Sequence, residues 1–131
     1  MSIPFVVDHA LQRVTVTAGG DLRLEDFVAL VSALASTGCF AYAQLFDARR
    51  AAVLLTADEI RRAVTLVAGF RAEYGQARTA FIAESDVSFG MARMYAALAA
   101  ETDSGFMVYR TVSDGEAWLG WQRVESRLTA T

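Results

Sequence analysis

Three short charged clusters carry the side chains best suited to recognition chemistry: Asp47, Arg49 and Arg50; then Glu84, Ser85 and Asp86; then Arg110, Thr111 and Ser113. Each follows an apolar run, and both signs occur together, which suits binding of a polar protein partner or an anion. A structural reading stands beside the functional one, because Ser85, Asp86 and Ser113 also suit helix N-termini and the charges suit a solvated rim. A second set, Met91, Met94, Tyr95, Trp118 and Trp121, would line an apolar pocket for a small ligand, since Met and aromatic side chains adapt to loosely shaped molecules. At helical spacing the same residues also read as ordinary core.

Other chemistry finds little support. His9 is the single histidine and Cys39 the single cysteine, so multi-His and Cys-based metal sites and an internal disulfide are excluded. No G-x-S-x-G elbow accompanies His9, and Gly19-Gly20 lacks the spacing of a dinucleotide fingerprint. All twelve basic residues are Arg, so a Walker Lys and a Schiff-base Lys are absent. Arg61 and Arg62 with Arg49 and Arg50 would form a basic patch. Asp58, however, precedes Arg61 and Arg62 at ion-pair spacing, and the net charge is -3, which argues against nucleic acid. No cofactor and no metal are expected, and the chain reads as non-enzymatic. Cys39, between Gly38 and Phe40, reads as a small buried hydrophobe.

These residues need a scaffold. The chain has 131 residues, of which 54% are hydrophobic, enough for one compact domain over 1–131 with a sizeable core. The N-terminus meets Asp8 before any signal-peptide pattern develops, and apolar runs such as Ala51 to Leu55 fall far short of a membrane span. A lone cysteine fits a reducing compartment, so a cytoplasmic location is expected. The apolar excess also predicts a homodimer.

Ile3 to Val7 and Leu11 to Thr17 read as an N-terminal hairpin, with Pro4 suggesting an edge strand and Gly19-Gly20-Asp21 a turn. Leu24, Phe27, Val28, Val31 and Leu34 recur at helical spacing until Gly38. Tyr42 to Asp47 reads as a strand, followed by a loop from Ala48 to Leu55. Thr56 and Glu59 then form a T-x-x-E capping box, with Leu55 and Ile60 placed for a hydrophobic staple. Ile60, Ala63, Val64 and Val67 form that helix's core face, and Gly75 lies near its end. Thr79 to Ala83 is a strand and Ser85 caps a third helix, in which Gly90 suggests close approach to the sheet or a partner. After the strand Phe106 to Arg110, Ser113 and Glu116 suggest a capping box for a last helix with Ala117, Trp121, Val124 and Leu128 as its stripe.

The order ββαβαβαβα predicts an α/β fold with a mixed sheet of four to five strands, mostly parallel, carrying an antiparallel N-terminal edge strand. Right-handed crossovers would gather Asp47, Glu84 and Arg110 on one edge, the side on which open parallel sheets bind ligands.

In this order, the stretches Gln44-Leu45-Phe46-Asp47-Ala48-Arg49, Arg78-Thr79-Ala80-Phe81-Ile82-Ala83, Phe89-Gly90-Met91-Ala92-Arg93-Met94-Tyr95 and Glu116-Ala117-Trp118-Leu119 resemble the SpoIIAA-like branch of the STAS superfamily, the domains named after sulfate transporters and anti-sigma-factor antagonists. The resemblance implies a small non-enzymatic interaction or regulatory module. In anti-sigma antagonists the loop after the equivalent strand carries an Asp-Ser-Ser-Gly-like segment with a phosphorylated Ser. Here that segment is Asp47-Ala48-Arg49-Arg50-Ala51-Ala52, with no Ser, so the phosphoswitch does not carry over. The branch is also similar in outline to the CRAL-TRIO lipid-carrying domains, which keeps a small apolar or amphipathic ligand as the alternative.

Overall fold

The computed structural model describes residues 3–121. Five strands, β1 (Phe5–Asp8), β2 (Arg13–Leu22), β3 (Ala43–Val53), β4 (Thr79–Ile82) and β5 (Phe106–Tyr109), form one sheet in sequential order. β1 pairs antiparallel with β2, and every other pair is parallel. The α/β class, the mixed sheet and the antiparallel edge strand are as the element order predicts.

Four helices complete the fold: α1 (Leu24–Ser36), α2 (Ala57–Tyr74), α3 (Asp86–Leu98) and α4 (Val112–Leu119). Helices α1, α2 and α3 each link two neighbouring parallel strands. All three steps run the same way across the sheet, so a single crossover hand stacks these helices on one face. α4 follows the last strand, bridges nothing, and packs against β3, β4 and β5 on the other face. Strand alternation then divides the core. Val14, Val16, Phe46 and Phe81 face α1 to α3, whereas Leu45, Ala80 and Ile82 face α4.

The helix starts follow local chemistry. Thr56 Oγ1 accepts from the Glu59 N–H at 3.1 Å while Glu59 reaches back to the Thr56 N–H, the reciprocal cap expected from the sequence. Leu55 and Ile60 beside it are both buried. Ser85 caps α3 through the Ser88 N–H. α2 ends at Gly75, whose φ of 106° only glycine adopts without strain.

Several expectations need correction. Gly19, Gly20 and Asp21 lie inside β2 rather than in a turn, paired with Arg50, Ala51 and Ala52 beyond a register shift between Thr17 and Gly19. The two glycines mark a bulge that lets the strand continue, and β3 accordingly runs on to Val53 where a loop was expected. The cap of α4 is Thr111, which accepts from the Asp114 N–H, and not Ser113, which lies inside the helix. Gly120, in the left-handed region at φ 76°, stops α4 before Trp121, while Val124 and Leu128 lie outside the described residues. Gly90 is exposed, with nothing within 4 Å of where a Cβ would stand. The close helix-to-sheet approach is at Gly115 instead, where a Cβ would sit 2.6 Å from Ile82 Cδ1.

Candidate functional site

Between the sheet and helices α1 to α3 lies a cavity of about 100 Å³. Its walls follow from two periodicities. Alternate residues of β3 and β4 point Gln44, Phe46, Thr79 and Phe81 to the helix side, and α2 contributes Ile60, Ala63, Val67 and Arg71 along one face. α1 lines the cavity with Phe27, Leu30 and Leu34, and α3 with Met91, Ala92 and Tyr95.

The lining is apolar except for one patch. Arg71 and Asp103 are buried together, their side chains 5% and 3% exposed, with Arg71 Nε donating to Asp103 Oδ1 at 3.1 Å. Other guanidinium nitrogens reach the Phe40 carbonyl at 3.4 Å and Thr79 Oγ1 at 3.5 Å, and the group lies 4.5 Å above the Phe40 ring. The Tyr95 hydroxyl donates to Asp103 Oδ2 at 3.4 Å. Gln44, opposite Thr79 in the sheet register, completes the patch.

Burial, and then the Asp103 carboxylate beside it, push the Tyr95 phenol far above its ordinary range. A raised folded-state value means the native protein holds this proton after the unfolded chain has lost it. The associated stability is therefore complete below about pH 10, where an unfolded Tyr titrates, and declines above it. Tyr95→Phe is expected to lose less stability than the native sequence between about pH 9 and pH 11, measured as the shift in urea midpoint. An identical alkaline loss in both proteins would count against Tyr95 as its source.

The strand-end edge does assemble. Arg49 binds Asp47 through two side-chain contacts of 2.9 Å, and this hydrogen bonding holds the Asp47 carboxyl below its usual range. Arg110 reaches Asp86 at 2.8 Å and the Glu84 carbonyl at 3.2 Å, and its guanidinium covers the Phe89 ring at 4.2 Å. Ser85 is occupied as a cap. The edge thus satisfies much of its own charge, while Arg50 stays exposed on the strand.

Among the solved structures similar to this chain is one with a TM-score of 0.57 and 17% identity, covering 90% of this chain and 94% of that one. It is an uncharacterized protein from the DUF3478 family with a SpoIIAA-like fold, from Shewanella loihica PV-4. This fold is SpoIIAA-like. No family model matches the sequence, and no curated protein does.

Within the SpoIIAA-like fold, the segment Asp47 to Ala52 belongs to β3, paired with β2, rather than to a free loop. The fold also separates the residues expected to form one pocket. Met91 and Tyr95 line the cavity, and Met94 is 43% exposed on the outer side of α3. Trp118 and Trp121 pack on the opposite face with Leu45 and Ile82, under Arg78 and Arg13 respectively. No pocket between α3 and the last helix is formed, because the sheet lies between them.

His9 meets Tyr42 at 2.9 Å at the far end of the sheet from Ser85, so these two residues do not form a His-Ser-Asp relay. Cys39 is buried against the Leu34 carbonyl, and burial raises its thiol pKa. Among the described residues no group of three or more His, Cys, Asp or Glu is placed to hold a metal ion, and no helix is long and apolar enough to cross a membrane.

The sequence reading missed Arg71, Asp103 and Gln44. A signal existed for the first: Ile60, Ala63, Val67 and Arg71 continue one helical stripe, and an Arg on an apolar stripe needs a buried partner. Nothing local marks Asp103, which lies in the loop after α3.

Proposed function

We propose that the protein is a non-enzymatic binding module for a small, largely apolar molecule held between the sheet and helices α1 to α3. The cavity carries this reading. It is of the same order as the cavity of about 150 Å³ that takes up benzene in a well-studied engineered core, and far below the roughly 300 Å³ at which pockets for drug-sized ligands begin. The size narrows the lipid-like expectation to a single ring or a short chain. Amide spectra of the protein equilibrated with benzene provide the test. Saturable shifts along α2 and α3, lost when Ala63→Leu fills the space, are expected; unchanged spectra would remove the reading.

A second reading, the homodimeric interaction module, is favoured by the outer face of α3. Val87 is 68% exposed, and Met94 and Leu98 share its helical face, with exposed Gly90 between them. The only charges on this helix are Asp86 and Arg93, of opposite sign. Two copies of α3 crossing antiparallel at Gly90 would pack the Val87, Met94 and Leu98 face of each against the other, with each Arg93 near the level of the other copy's Asp86, which Arg110 already holds. Met94→Asp is expected to convert a dimer to a monomer by light scattering. A native protein already monomeric at high micromolar concentration would exclude this interface.

A further inference from the structure

The polar patch in the cavity wall combines groups that are already satisfied with one that is not. Arg71 and Asp103 neutralise each other, and Thr79 and Tyr95 bond to that pair. Gln44 differs. The residue is 8% exposed and lines the cavity, yet its side-chain amide makes no hydrogen bond among the described residues. No fully occluded polar side-chain atom lacks a partner among the described residues, so the Gln44 amide keeps some accessible surface, and Gln44 is one of the residues lining the cavity.

An amide with a free carbonyl and a free NH₂ offers one acceptor and two donors to whatever occupies that space. We infer that Gln44 is the specificity residue of this site and that the ligand is a neutral molecule with an apolar body and one hydroxyl-type group that both donates and accepts, as in a phenol or a short alcohol. The inference rests on the cavity reading above and adds the ligand's chemical class.

Charge decides against an anionic head group. The positive charge of Arg71 is already matched by Asp103 at 3.1 Å, so a bound carboxylate would bring an uncompensated negative charge into a buried site. A hydroxyl brings no charge, and it satisfies the Gln44 amide that an entirely apolar ligand would leave unpaired.

Three probes of similar ring size test this: benzene, phenol and benzoate, titrated at pH 7 into the native protein and into Gln44→Met and followed by amide spectra. Gln44→Met keeps the side-chain volume nearly constant and removes only the polar group, so it is expected to fold. The native protein should bind phenol about tenfold more tightly than benzene and show no saturable binding of benzoate. In Gln44→Met the two neutral probes should bind equally. Equal binding by the native protein, or a phenol preference unchanged in the variant, overturns the role of Gln44 while the cavity reading stands. Benzoate bound as tightly as phenol overturns the neutral ligand class. Uptake of neither benzene nor phenol overturns the cavity reading, and this inference with it.

Discussion

Truncating Asp103 to Ala is expected to destabilise the domain by about 3–5 kcal/mol, the cost of leaving one buried charge without its partner. Arg71 lies deep between α2 and the sheet, and Asp103 is the only carboxylate within reach of it among the described residues. Without Asp103 the guanidinium keeps the face of Phe40 and carbonyl and hydroxyl contacts of 3.4 to 3.5 Å, at the long limit of a hydrogen bond. Arg71→Met should cost a similar amount by stranding Asp103. The double variant, Arg71→Met with Asp103→Ala, should cost much less than the two losses combined, because no charge is then left buried. Urea unfolding of the four proteins checks this as a double-mutant cycle. Additive losses would show that the pair does not act as a unit.

Gly105→Ala is the second large effect. A Cβ at this position would clash with the backbone carbonyl oxygen of Ala77 and stand 3.0 Å from the Ala77 carbonyl carbon and 3.2 Å from Arg78 Cα. Backbone cannot swing aside, and the same segment is fixed because the Thr79 N–H donates to the Gly105 carbonyl at 2.8 Å. The start of β5 must therefore move away from β4, at a cost of about 3 kcal/mol, the upper part of the usual range for overpacking. Gly115→Ala is the informative control. Its Cβ also meets something too close, but the nearest atom is the flexible end of the Ile82 side chain at 2.6 Å. A rotamer change can relieve that contact, so the loss should be nearer 1 kcal/mol. Thermal melts of both variants decide the point. Equal losses would show that β5 can shift as easily as the Ile82 side chain.

The candidate site was only partly legible in the sequence. The edge was in part, because β4 and β5, each followed directly by a capped helix, put Glu84 and Arg110 near one another, whereas Asp47 lies inside β3, level with Ile82 at the end of β4. What the sequence reading did not show is that this edge pairs largely with itself. Asp47 with Arg49 and Asp86 with Arg110 depend on side-chain directions that spacing leaves free. The cavity was half legible: Met91 and Tyr95 belong to it, whereas Trp118 and Trp121 do not. Helical periodicity says that a face is apolar but not which side of the sheet it covers.

By itself the sequence determined the element order, three of the four helix starts within about a residue, the α/β class and the antiparallel edge strand, because each depends on short-range patterns of capping and hydrophobic period. Only the tertiary structure decided that α4 crosses to the opposite face, that Gly19 and Gly20 continue a strand, and that Arg71, Asp103 and Gln44 meet in one cavity wall. Those outcomes depend on contacts between residues some 30 or more positions apart, such as Arg71 with Asp103 at a separation of 32. Such partners are chosen by the packing of whole layers, which leaves no trace in local spacing.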